Sequence, residues 1–262
     1  MKVETLGNKG NPVIIMIPGM FCDSEMTKRI GHYFEDDYYI LLPVLDGHYK
    51  ENPHYISKFQ DSKELINYLE ENHIEEIELL HGTSMGAEVA LQVAADLKIP
   101  VKHYLYDGGP FFKFPRFFRA IMAKKFMVLV NIASSKKTVE EAETAIMNDP
   151  FVKKLGGESL ESYRGILGGF AKIGQWIDRK SVRAIADTCY KCDLPAFSDE
   201  IIAKTTFLFS EKEPARKSEK RLKKKYPDAN YYIAKGYGHG GFQIQGLDEY
   251  VTYLHSLLEN SK

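Results

Sequence analysis

One short stretch of the chain, residues 77–91, constrains the fold more than any other part of the sequence. It contains the pattern Gly-x-Ser-x-Gly at positions 82–86, with Ser84 at its centre. Residues 77–81 have the pattern of a short buried strand, and residues 85–97 have the alanine and leucine content of a helix. The pattern therefore predicts that Ser84 lies on a sharp turn between a strand and a helix.

Such a turn would strain the backbone of Ser84 and expose its hydroxyl group above the sheet, and the flanking glycines would let strand and helix approach closely. The backbone N–H of Met85 would lie at the helix N-terminus, where the helix dipole favours a developing negative charge. An ordinary glycine-rich turn with a capping serine can have the same sequence pattern. The interpretation of Ser84 as a nucleophile therefore depends on partners elsewhere in the chain.

Composition excludes several classes of protein. The 262 residues are 44% hydrophobic and 27% charged, with a net charge of −1, which fits one large α/β domain with or without an insertion and argues against nucleic acid as a partner. We expect no leader, because the first residues are not apolar, and no transmembrane helix, because no uninterrupted apolar run approaches ~18 residues. A homo-oligomer stays open.

The three cysteines cannot all pair with one another. Cys189 and Cys192 form a C-x-x-C pattern, but no second pair of metal ligands follows it. Reduced thiols in a cytoplasmic protein are the simpler interpretation, and we expect no metal.

The order of apolar segments predicts the architecture. Strand-like and helix-like segments alternate over residues 1–108 and again over residues 204–262, as in a mostly parallel central sheet with helices on both faces. Residues 109–203 interrupt this rhythm with no strand pattern. We therefore predict an α/β core in two parts, 1–108 and 204–262, with an inserted helical cap at 109–203.

Four features in this order resemble the α/β-hydrolase superfamily over nearly the whole chain. They are a Pro-Gly-Met motif after a buried strand, the Gly-x-Ser-x-Gly turn, an acidic loop after a late strand and a Gly-His-Gly loop after the last strand: residues 18–20, 82–86, 210–214 and 238–240. The order serine, acid, histidine is the order found in that superfamily. Two positions depart from its usual pattern, since Pro18 replaces a histidine and the acid is a glutamate.

The resemblance implies a catalytic triad without a metal or organic cofactor. Ser84 would be the nucleophile and His239 the general base, because a glycine-rich loop lets the imidazole reach over the strand ends. Glu213 would orient the imidazole, with Glu211 and then Asp107 as alternatives. His81 is expected to pack inside its strand.

The backbone N–H groups of Met20 and Met85 would form the oxyanion hole. The substrate would contact an apolar rim and an aromatic-rich cap, for which the predicted contacts are Phe21, Phe111, Phe114, Phe118, Met122 and Trp176. Basic and aromatic residues near position 117 also fit a helix on a lipid surface, but a cap helix with one wet face is favoured over membrane contact.

These expectations lead to a serine hydrolase that cleaves a small or medium carboxylic ester through an acyl-enzyme. The same constellation also serves for the cleavage of C–C bonds, thioesters, amides or lactones, and the sequence does not separate these. A different class, a non-catalytic binding protein with this fold, is disfavoured because serine, histidine and acid are all present. A haloalkane or epoxide hydrolase is also disfavoured, because the superfamily members with those activities have aspartate at this turn, where this chain has Ser84.

Overall fold

The computed structural model describes residues 1–156 and 164–259, and its centre is a seven-stranded sheet. The strand order is β1-β3-β2-β4-β5-β6-β7, and only β1 runs antiparallel to its neighbour. The strands, in chain order, are β1 Lys2–Leu6, β2 Val13–Ile17, β3 Tyr39–Val44, β4 Ile77–Thr83, β5 Val101–Asp107, β6 Thr205–Ser210 and β7 Asn230–Ala234. This arrangement confirms the predicted α/β class with a mostly parallel sheet.

The central strands are buried along their whole length because helices cover both faces of the sheet. Every residue of β2, β3, β4 and β6 is buried. Helices α2 Lys58–Glu71 and α3 Met85–Asp96 belong to one core cluster, whereas α12 Leu247–Glu259 belongs to the cluster on the opposite face. A strand buried on both faces needs no polar alternation, which is why β2 is a continuous apolar run.

The remaining core helices are short. They are α1 Glu25–Gly31, α10 Glu219–Lys225 and α11 Gly241–Ile244, with a 3₁₀ turn over Pro214–Ser218 before α10. The turn begins at Pro214 and leads directly into α10. Both lie between β6 and β7, as the predicted order requires.

All other described helices lie between β5 and β6. They are α4 Arg116–Ser134, α5 Val139–Met147, α6 Pro150–Gly156, α7 Arg164–Ile173, α8 Arg179–Tyr190 and α9 Asp199–Ala203. Helix α4 packs against α5, α7 and α8, and α8 also contacts α3 of the core. Over the ranges that the structure describes, no helix combines the length and apolar character needed to cross a bilayer.

Candidate active site

Ser84 lies on the turn between β4 and α3 with an unusual backbone conformation. Its φ of 54° and ψ of −118° lie in a region that non-glycine residues rarely occupy. A β-carbon at Gly82 would lie 2.3 Å from the carbonyl oxygen of Gly86, and one at Gly86 would lie 2.4 Å from that of Ile17. The two glycines are therefore steric requirements of the turn that presents Ser84.

His239 joins Ser84 to Glu213. Its Nε2 lies 3.1 Å from Oγ of Ser84, and its Nδ1 lies 2.5 Å from Oε2 of Glu213. The histidine follows β7 in a loop where Gly240 has a φ of +71°, a conformation that glycine adopts without strain. Three residues far apart in the sequence thus form one hydrogen-bonded chain.

Glu213 is held in place by its own loop. Its side chain is buried, and Oε1 accepts a hydrogen bond of 2.6 Å from the backbone N–H of Ser210 at the end of β6. Gly108 leaves the space that the pair needs, because a β-carbon there would lie 2.9 Å from Oε2 of Glu213 and 3.2 Å from Cε1 of His239. The carboxylate therefore has one oxygen anchored and the other directed at the imidazole.

The two alternative acids occupy other positions. Glu211 is exposed, and its Oε2 accepts a hydrogen bond from the backbone N–H of Gly236 at 2.9 Å. Asp107 is buried, and its Oδ2 accepts from Nε2 of Gln243 at 2.6 Å. Of the three candidates, Glu213 is the one in hydrogen-bond contact with His239.

Burial and nearby carboxylates act in opposite directions on His239. Burial lowers the pKa of the imidazole, but the hydrogen bond to Glu213 and the charges of Glu213 and Asp107 outweigh it, so the pKa of His239 is raised above its usual value of 6.5. Burial, reinforced by the charge of Glu213, also raises the pKa of Asp107 to about 7. The charge of Asp107 thus contributes to the raised pKa of His239.

A buried polar network lies next to the Ser84–His239–Glu213 chain and includes Asp107. Nε2 of Gln243 donates to Asp107 and is 2.8 Å from Oγ1 of Thr83 and 3.0 Å from the hydroxyl of Tyr250. That hydroxyl lies 2.9 Å from Nε2 of His81, whose pKa is lowered by burial to about 3. His81 therefore packs as a neutral side chain within β4.

The loop after β2 borders Ser84 on the side where an oxyanion hole is expected. A β-carbon at Gly19 would lie 3.3 Å from Cβ of Ser84, so the backbone of this loop approaches the serine closely. Met85 is the first residue of α3. Among the hydrogen bonds of the described residues, neither the Met20 nor the Met85 amide has a backbone or side-chain acceptor.

A cavity of about 210 Å³ opens at Ser84 and His239. Its other walls are largely apolar. Met20 and Met26 come from the segment between β2 and β3, and the other large apolar residues come from the segment between β5 and β6: Phe112, Met122, Phe126, Leu129, Phe151, Val152, Leu167, Phe170 and Tyr190. No lysine, arginine, aspartate or glutamate lines it among the described residues. An uncharged, apolar ligand fits such a lining.

The six predicted substrate contacts occupy different places relative to this cavity. Met122 lines the cavity, but Phe21, Phe111, Phe114, Phe118 and Trp176 do not. Phe111 is fully buried against Tyr106 and Phe207 in the core under the sheet, and the cavity is lined instead by its neighbour Phe112. The loop before α4 has no periodicity, so the sequence does not tell which of two adjacent rings turns inward.

The other predicted contacts lie outside the cavity lining. Phe114 packs between Phe112 and Phe118, and Phe118 also contacts Tyr190. Trp176 is half-buried against the core cluster. Phe126 and Leu129 line the cavity but are not among the predicted contacts. Helical spacing indicates them, because they lie four and seven residues after Met122 on the same face of α4.

Phe21 is buried and stacks on Phe170 with ring centroids 3.9 Å apart. Phe170 rather than Phe21 therefore meets the cavity. The side chain of Met85 is also fully buried, which limits its predicted role to its backbone N–H.

The thiols and carboxylates form no metal centre within residues 1–156 and 164–259. Cys22, Cys189 and Cys192 are free thiols, and Cys22 and Cys189 line the cavity. Burial raises the pKa of Cys22 to about 12 and raises that of Cys189 as well, so both are neutral at physiological pH.

Comparisons with protein-family models and with curated protein sequences gave no match. Solved structures match along nearly the whole chain. An α/β-hydrolase family protein from Desulfitobacterium hafniense has 19% identity and a TM-score of 0.74, over 98% of this chain and 100% of that one. The chain has the α/β-hydrolase fold.

Two further structures support the same conclusion about the fold. A marine microorganism esterase is 17% identical with a TM-score of 0.73, and the match covers 98% of both chains. The enol-lactonase from Burkholderia xenovorans LB400 is 12% identical with a TM-score of 0.70, over 98% of this chain and 96% of that one. At these identities the likeness concerns the fold alone.

Proposed function

We propose that this protein is a serine hydrolase that cleaves a small or medium carboxylic ester through an acyl-enzyme. The observation that carries the proposal is the hydrogen-bonded chain Ser84–His239–Glu213 at an apolar cavity. A serine hydroxyl is a weak nucleophile without an adjacent base, and this geometry supplies one. Structural relatives described as an esterase and a lactonase fit the same class of reaction.

The reaction follows from the roles of the three side chains. Glu213 accepts the Nδ1–H of His239, which leaves Nε2 free to take the proton of Ser84. The serine oxygen attacks the ester carbonyl, and the N–H groups of Met20 and Met85 stabilise the negative oxygen. His239 then gives the proton to the leaving alcohol, and it activates a water molecule that releases the acid from Ser84.

The lining of the cavity supports an uncharged acyl group as the substrate. Each methylene that moves from water to this surface contributes about 0.8 kcal/mol, so reactivity should increase with chain length until the cavity is full. We propose that residues 109–203 act as a cap over the site, because α4 contributes Met122, Phe126 and Leu129 to the cavity. The three free thiols fit the reducing conditions of the cytoplasm.

Related chemistries use the same three side chains. Cleavage of a lactone, thioester, amide or C–C bond needs the same nucleophile and oxyanion hole, and the lactonase among the structural relatives keeps the first of these open. A non-catalytic binding protein would have no need for a strained serine in contact with a histidine. The choice between these activities is an experimental one.

Labelling with a serine-directed fluorophosphonate tests the proposal directly. The wild type should be labelled and should hydrolyse p-nitrophenyl esters, whereas Ser84→Ala should do neither while remaining folded. Ser134→Ala is a matched control, because Ser134 is exposed at the end of α4. Turnover by folded Ser84→Ala would contradict the proposal, and labelling without ester turnover would point to one of the related chemistries.

A further inference from the structure

The loop after β2 contains a strained residue next to the expected oxyanion hole. Phe21, the residue after Met20, has a φ of 54°, which is rare for a residue with a large side chain. Backbone strain of this kind persists only where the surrounding structure enforces it. The contacts of Phe21 should therefore show what holds the Met20 amide in position.

Helix α7 makes three contacts with this loop. The Phe170 ring stacks on the Phe21 ring at 3.9 Å with an angle of 18° between the planes. The backbone at Gly169 approaches the loop so closely that a β-carbon there would lie 1.9 Å from the carbonyl oxygen of Phe21. Nζ of Lys172 lies 2.5 Å from Oδ2 of Asp23, two residues further along the loop.

These contacts act on three different parts of the loop. The ring stack holds the Phe21 side chain, the glycine lets the helix press on its carbonyl group, and the ion pair holds Asp23. His48 lies on the Phe21 ring as well, with centroids 6.0 Å apart. A peptide group bounded in this way has little freedom to rotate, and the Met20 N–H belongs to the same short turn.

We propose that α7 is a positioning helix that holds the loop after β2, residues 18–24, which we call the oxyanion loop. Gly169 and Phe170 are its positioning residues. This inference rests on the proposed function for its effect on rate, but the mechanical coupling does not. Phe170 also lines the cavity, so an acyl group in the cavity would touch the same ring that fixes Phe21. Binding of the acyl chain and alignment of the oxyanion hole are then linked through one side chain.

Two adjacent glycines of α7 allow a matched test. Gly169→Ala would drive a methyl group against the Phe21 carbonyl, whereas a β-carbon at Gly168 would meet only Oε2 of Glu143, at an ordinary 3.8 Å. Both changes replace glycine by alanine inside the same helix, where alanine is intrinsically favoured. A difference between the two variants therefore reports the contact with the loop rather than a change in helix stability.

The first readout is the split between kcat and KM for p-nitrophenyl acetate. We expect Gly169→Ala to lower kcat at least about tenfold with little change in KM, because loss of one oxyanion donor costs on the order of 100-fold or more. Gly168→Ala should match the wild type. Equal kcat values for the two alanine variants would overturn the inference.

The second readout does not need turnover. Hydrogen exchange at the amides of Met20, Phe21 and Cys22 should be faster in Gly169→Ala than in Gly168→Ala. If Gly169→Ala does not fold, Lys172→Ala and Asp23→Ala can replace it, since both side chains are partly exposed. Each should lower kcat by at most about fivefold, and the double variant should cost no more than either single one.

The two proposals can fail separately. A wild type that is neither labelled nor active refutes the proposed hydrolase, while faster exchange in Gly169→Ala alone would still support α7 as the positioning helix. An active wild type with identical exchange in the two alanine variants refutes the positioning helix and leaves the hydrolase intact. Additive effects of Lys172→Ala and Asp23→Ala on kcat would also contradict the positioning role of α7.

Discussion

Gln243 donates a hydrogen bond of 2.6 Å to Asp107, and both side chains are buried. The backbone carbonyl of Asp107 in turn accepts the N–H of Ser84 at 2.7 Å. Asp107 is therefore fixed next to Ser84, where its carboxylate adds to the negative charge felt by His239. The group shapes the titration of the site without touching the imidazole through a hydrogen bond.

The first prediction is that Asp107→Asn shifts the pH dependence of kcat/KM to lower pH. His239 must be neutral to act as a base, so activity should fall as pH decreases through its raised pKa. Removing the Asp107 charge removes one cause that raises this pKa, and an asparagine oxygen can still accept from Gln243. A midpoint that stays constant or rises in pH–rate profiles of the folded variant would contradict the assignment.

The second prediction separates the two glutamates of the loop after β6. Glu213→Gln should lower kcat by a factor on the order of 10⁴, as in a serine protease, because the amide no longer favours the correct tautomer and charge of His239. Glu211→Gln is the matched control, since its oxygen can still accept from Gly236. Steady-state kinetics that show similar losses for both variants would remove Glu213 from the triad.

The third prediction concerns the length of the acyl chain. Met122→Ala and Phe126→Ala should shift the preferred p-nitrophenyl ester to a longer acyl chain, because both side chains line the cavity. Each added methylene that becomes buried should raise kcat/KM about fourfold, the equivalent of about 0.8 kcal/mol. Phe117→Ala on the exposed face of the same helix should leave the series unchanged.

The fourth prediction concerns stability. Lys58 and Glu88 form a buried ion pair of 2.9 Å between α2 and α3. Lys58→Met should cost about 3–5 kcal/mol of unfolding free energy in urea, because it leaves a carboxylate buried without its cation. Burial already raises the pKa of Glu88 and Lys58 opposes that rise, so in the variant the cost should increase with pH.

Two controls define that result. Lys58→Met combined with Glu88→Leu should recover much of the lost stability, since no unpaired charge remains. Lys204→Met should cost less than about 1 kcal/mol, because its pair with Glu200 is exposed. A small effect of Lys58→Met at all pH values would show that water reaches Glu88.

The sequence alone determined the sheet and the turn at Ser84, and it pointed to His239 as the partner of Ser84, but it did not decide the acid. Apolar runs such as Val13–Ile17 report burial on both faces directly, and the glycines at 82 and 86 report a close approach of backbones that no other residue permits. These are local constraints, so they can be read from neighbouring letters. The acid stayed open between Glu213, Glu211 and Asp107. Glu211 and Glu213 lie in the same loop after β6, and the path of that loop decides which of them faces His239.

Only the tertiary structure decided which side chains meet the cavity and what holds the oxyanion loop. Phe111 and Phe112 are adjacent and chemically identical, and packing against Phe207 takes one of them into the core. The contact between Gly169 and Phe21 joins residues almost 150 positions apart, so no local pattern announces it. The reason is physical: hydrophobic burial is non-directional, and a choice among equally apolar side chains is made by the shape of the space that the rest of the fold leaves.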